Sequence, residues 1–247
     1  MSQTPISSIQ EKPRVGPPSW QEANIRERVA EAVIATRDTI AQVVDKTWAS
    51  DPPTSRFADW NLRDLLCHIT AWAEFCRGRL RAIEAGATKV SSVDVAAFNR
   101  AIYESNRKTP LSIALSDNVR AFDDLATAAR AIHDPLIART DLPTGFDLPL
   151  WRYVLVDGFA HPTRHLMFHC LKRGHLPLFF SLERQCHSRF QWFAPDNRSA
   201  ALCFRDCFST NADCALFFEN LRPDIRNEAQ RDVWDRTLLA SLREGSA

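Results

Sequence analysis

The chain has 247 residues, 45% of them hydrophobic and 25% charged, enough apolar material for a sizeable core. Its 31 Lys and Arg against 30 Asp and Glu leave a formal charge of +1, so it lacks the bulk positive field that nucleic acid or an anionic membrane surface would attract. Seven glycines are under half the usual share of about 7%. With no GxGxxG or GxxxxGKS/T loop in the sequence, phosphate-cradling and doubly wound folds are disfavoured and helices expected.

Residues 1–19 hold four of the 14 prolines among Ser, Gln and Thr, and read as a flexible arm. They lack the apolar core of a signal peptide, and no run approaches a membrane span, so a cytoplasmic protein is expected. From Trp20 to about Val44, the residues Ile25, Val29, Val33 and Ile40 recur on one helical face. The prolines of "ASDPPTSRF" end that segment.

A second helix is expected from about Asn61 to Gly86, with a stripe of Leu62, Leu65, Leu66, Ile69, Trp72, Phe75 and Cys76. Ser91 or Ser92 can cap a shorter segment holding Val95, Phe98, Ile102 and Tyr103. Thr109-Pro110 reads as an N-cap followed by proline at the first helical position. The helix behind it, through Ile113, Val119, Phe122, Leu125, Ala129 and Ile132, should run to Asp134-Pro135. A last long segment runs from Leu150 to Arg173, stopped by Gly174.

Four long helices and one short one, joined mostly by modest loops, predict an all-α antiparallel four-helix bundle over residues 20–175. Residues 176–247, rich in Phe and Cys, form a C-terminal extension too apolar to be a disordered tail. It packs as helix on the bundle or forms a subdomain with a strand or two.

Of the seven histidines, His161, His165 and His169 lie four apart on the last bundle helix. That spacing stacks side chains on one face, but three in succession drift around the axis. Two of them plus a residue from another helix make better ligand geometry, and His68, inside "DLLCHITAWAEF", is the natural third. Neutral imidazoles so placed bind zinc, nickel or iron and leave positions open. The plain alternative for His68 is a hydrogen-bonded core residue, and His169 reads as a partly exposed histidine. Cys186, His187, Cys203, Cys207 and Cys214 lack the spacing of a structural zinc module and read as buried thiols.

The stretches "WNLRDLLCHITAWAEF", "DVAAFNRAIYESNRKTPL" and "DGFAHPTRHL" resemble the DinB/YfiT-like superfamily, which includes relatives of the N-terminal domain of mycothiol-dependent maleylpyruvate isomerase. The resemblance covers about residues 20–175. It implies a four-helix bundle whose divalent metal is held by His68, His161 and His165. Pro162 departs from a regular helix: either a local bulge, eased by Gly158, aims His161, or the helix starts afresh there. Asp64 and Asp157, each one turn from a histidine, can accept a ligand's free ring N–H. Trp72 flanks His68 by one turn, and Asn99 and Arg100 can line the opening.

The resemblance further implies an enzyme in which the metal activates a low-molecular-weight thiol, or water, against an electrophilic small molecule. Such a protein would be an S-transferase or hydrolase, and superfamily members are often homodimers. Two other readings stay open. One is a bundle that binds or sequesters a toxic small molecule for self-protection, without metal catalysis. The other is a metal that only staples the helices. No nucleic acid partner and no membrane are expected.

Overall fold

The computed structural model describes residues 25–48, 60–89, 92–145 and 148–193, together with Leu216 and Asn220. The arm, Trp20, the proline break and Ser91 lie outside the described residues, as do Cys203, Cys207, Cys214 and most of the C-terminal extension. Among the described residues the secondary structure is helical and no strand occurs.

Helix α1 (Ile25–Thr47) buries Ile25, Val29, Val33 and Ile40, and continues the same face through Val43, Val44 and Thr47. Helix α2 (Leu62–Glu84) starts behind a capping box. The Asn61 side chain accepts from Asp64 N–H, and the Asp64 carboxylate accepts from Asn61 N–H, satisfying two otherwise orphaned donors. It ends at Gly86, whose φ of 86° suits a residue without Cβ.

Three boundaries differ from the sequence expectation. Helix α3 (Val95–Asn106) is capped by Asp94, which accepts from Ala97 N–H, and not by a serine, because Asp94 sits directly before the first turn. Helix α4 (Leu111–Ala131) has Pro110 itself at the N-cap, with no side-chain cap. Its buried face passes through Ala114, Asn118, Phe122 and Leu125, which turns Ile113 outward at 51% exposure. It ends at Ala131, and Asp134-Pro135 instead opens a separate single turn, α5 (Asp134–Ile137), because proline cannot continue a helix from inside.

The last long segment is broken into three. Helix α6 (Leu150–Leu155) runs into a π-helical turn, Val156–Ala160, and α7 (His161–Lys172) follows with Pro162 in its first turn. The His161 N–H reaches back to Val156 C=O, one residue further than α-helical pairing. Pro162 has no N–H to give and its ring would crowd the carbonyl four residues back; the wider turn makes room. Of the two sequence options for Pro162 the bulge is the one realised: Ala160 and His161 keep helical dihedrals (φ −67°, ψ −50° and φ −61°, ψ −53°), so the backbone passes into α7 without a break. Gly174, with φ of 74°, ends α7.

Helix α4 and the Leu150–Lys172 stretch each pack against both α1 and α2. The core between them is built from Val29, Val33, Leu66, Ile69, Phe122, Leu125, Tyr153 and Phe159, all within 1% of full burial. Each large side chain so placed contributes about 1.5–3 kcal/mol. Helix α8 (Leu176–Phe193) packs on α7 through buried Phe179, Phe180 and Leu182. The first part of the C-terminal extension is thus helix laid on α7.

Candidate metal centre

His68 lies on the core-facing stripe of α2 and is buried, while His161 and His165, one turn apart on α7, are half-buried. Their Nε2 atoms converge. His68 Nε2 is 3.1 Å from that of His161 and 3.1 Å from that of His165, and the latter two are 2.8 Å apart.

This triangle is incompatible with a set of ordinary hydrogen bonds. A neutral imidazole nitrogen offers either one N–H or one lone pair. With three nitrogens facing one another, at least one contact sets lone pair against lone pair or N–H against N–H. A cation accepting three lone pairs removes the conflict. The size fits as well: two bonds of about 2.0–2.1 Å at a tetrahedral angle hold their nitrogens about 3.3 Å apart. Among the described residues these three histidines are the group that can hold a metal ion.

Electrostatics favours the neutral, ligating form. Burial is the main cause that pushes His68 down from 6.5 to about 2, followed by the charges of His165 and His161; a hydrogen bond with the Asn99 side chain offsets part of this. His165 falls to about 3, again mainly by burial, helped by His161 and by the positive Arg164. Neither ring needs to lose a proton at neutral pH before taking a metal.

Around the triangle, Asp157 Oδ1 lies 3.2 Å from His161 Nδ1. Asp157 is 6% exposed and sits on the π turn. With the Nε2 lone pair directed inward, the His161 Nδ1–H donates to this carboxylate. Asp64 is placed differently. Its oxygens serve the Asn61 N–H and the Arg63 guanidinium, so it is part of the α2 cap and not a support for His68. The indole of Trp72 stands edge-on to two of the rings, 6.3 Å from His68 and 5.8 Å from His161. Its Nε1–H donates to Asn99 Oδ1 at 3.0 Å, which brings Asn99 to the site, whereas Arg100 is exposed.

His169 corrects the sequence expectation: it is 5% exposed, on a helix that is covered by α8 as well as by α1 and α2. The sequence reading also missed Trp60, whose ring lies 4.3 Å from His68 and 6.1 Å from His165. A signal was present, since Trp60 precedes the Asn61 cap at the position of a hydrophobic staple. The free thiols Cys67, Cys76 and Cys170 are buried, and burial raises Cys67 to about 11 and Cys170 to about 12. They behave as small apolar groups and not as nucleophiles.

Compared with protein-family models, curated proteins and solved structures, the chain matches none of them.

Proposed function

We propose that this protein binds one divalent metal ion through His68, His161 and His165. In this reading, residues 20–175 form an antiparallel four-helix bundle of the DinB/YfiT-like kind. The observation that carries it is the triangle of Nε2 atoms, which three neutral imidazoles cannot satisfy among themselves. Zinc, nickel and iron all suit an imidazole set of this kind.

His68 reaches the site from a rigid, capped helix, and its burial keeps the ring neutral. His161 is held by Asp157, which takes the Nδ1–H and so fixes Nε2 as the ligand atom. His165 completes the face one turn on. An ion bound to three histidines keeps a position open and supplies Lewis acidity that lowers the pKa of a thiol or water there. The activity this favours is attack of a low-molecular-weight thiol, or water, on an electrophilic small molecule, as an S-transferase or hydrolase. Assembly as a homodimer in the cytoplasm belongs to the same proposal.

The test is elemental analysis of purified protein beside His68→Ala and His165→Ala. The expected result is about one metal per chain in the parent and almost none in either variant, with helical circular dichroism retained in all three. A parent that stays metal-free after reconstitution, or a fully metallated His165→Ala, sinks the assignment. The first of these outcomes would favour a bundle that binds small molecules without metal.

A further inference from the structure

We infer that the compound acted on at the histidine triangle presents a planar, π-rich group, which lies against an aromatic wall made by Trp72 and Phe98. This rests on the metal-site reading above and names the substrate class for it.

Trp72 and Phe75 project from α2 and Phe98 from α3. Their ring centroids are 5.4 Å (Trp72–Phe75), 5.0 Å (Trp72–Phe98) and 5.6 Å (Phe75–Phe98) apart. These are edge-on and tilted contacts of the kind aromatic rings prefer. All three rings are only half-buried, although they cluster beside the core. The wall joins the metal site without a gap, because the Trp72 ring also contacts His68 and His161. Its far end is closed by the Arg79 guanidinium, 4.5 Å above the Phe75 ring.

The polar groups bordering the wall each have a protein partner. The Trp72 N–H is given to Asn99, Asn99 also faces His68, and Arg79 donates to the Thr144 carbonyl. What the wall offers a ligand is ring surface. A sugar would bring hydroxyls to ring faces that cannot pair them, at a desolvation cost. An aromatic or conjugated group gains ring contact without that cost, and its reactive end then reaches the triangle.

The test uses two probes with the same metal-binding head, benzohydroxamate and acetohydroxamate, titrated into zinc-loaded full-length protein whose zinc content is measured on the same sample. Benzohydroxamate is expected to bind about tenfold tighter. Phe98→Ala should weaken benzohydroxamate about 3- to 10-fold and leave acetohydroxamate within about twofold, at unchanged zinc content. Phe98→Leu keeps the bulk, loses the ring, and should weaken benzohydroxamate in the same sense if the alanine variant folds poorly. Equal binding of the two probes, or equal loss of both in the Phe98 variants, overturns the wall and leaves the metal site standing. A protein that takes up no zinc overturns both, and the zinc measurement tells these failures apart.

Discussion

The two stretches that carry the histidine cluster are built in opposite ways. Helix α2 is uninterrupted over 23 residues behind a reciprocal cap, and His68 points where its apolar spacing directs it. The Leu150–Lys172 stretch covers the same length as an α-helix, a π turn and a second α-helix. There the direction of His161 depends on where the hydrogen-bond register changes. The contrast shows that a side chain's aim follows from spacing alone only while the backbone keeps one helical period. Once the period changes, packing against a neighbour decides.

The largest effect expected is that of acid on the metal-free protein. His68 and His165 are held at about 2 and about 3, below their ordinary 6.5, so the unfolded chain binds protons that the folded chain refuses. Stability is therefore greatest above about pH 6.5 and falls as pH is lowered toward about 3, by up to about 1.4 kcal/mol per pH unit for each histidine. Urea midpoints at about pH 7 and about pH 5 measure it, and His68→Leu should flatten the dependence. A midpoint indifferent to pH would mean that the two rings are not held neutral.

The same substitution at two glycines separates the two stretches. A Cβ on Gly158, in the π turn, would lie 2.7 Å from Val33 Cγ2 and 3.4 Å from Leu125 Cδ2. Gly158→Ala is expected to cost about 1–3 kcal/mol, since α1 and the turn must move apart, and to weaken metal retention with it. Gly78, exposed on α2, has nothing within 4 Å of such a Cβ, and Gly78→Ala should stabilise by about 0.5–1 kcal/mol. Thermal unfolding of the pair gives the comparison directly; two equal effects would show that the π turn is not pinned by α1.

Between these in size lies the cap. Asn61→Ala removes one half of the box at the start of α2 and should cost about 1 kcal/mol. Metal content is expected to stay unchanged, because His68 lies well inside the helix. If metal is lost at unchanged helicity, then the cap and not the stripe holds His68 in place.

Much of this was legible in the residues. The stripe from Leu62 to Cys76 and the Asn61 start describe α2 as it stands, and the fourfold spacing of His161 and His165 survives because α7 is regular between them. Ser92 and Thr109 were misleading because several residues near a helix start can cap it, and Ile113 because it stands two and a half turns before Phe122, on the opposite side of α4. The supports of the histidines were less legible. Asp64 and Asp157 stand in the same sequence relation to a histidine, one turn before it, yet Asp64 turns to the cap and Arg63 while Asp157 turns to His161. That choice depends on competing partners which spacing does not encode.

By itself the sequence determined that the described part of the chain is helical, where the apolar stripes run, and that two histidines share one face of a helix. These properties follow from local periodicity, proline and capping, each of which acts within a turn or two. The residues put His68 forward beside His161 and His165, with Trp72 one turn away. Only the tertiary structure decided that the Nε2 atoms of His68 and His161 come within 3.1 Å across 93 residues of chain, that the π turn absorbs Pro162, and that Trp60 and Phe98 gather at the site. Those outcomes depend on how α1, α2 and α3 pack against their neighbours, where contacts between distant segments choose among local conformations of nearly equal energy.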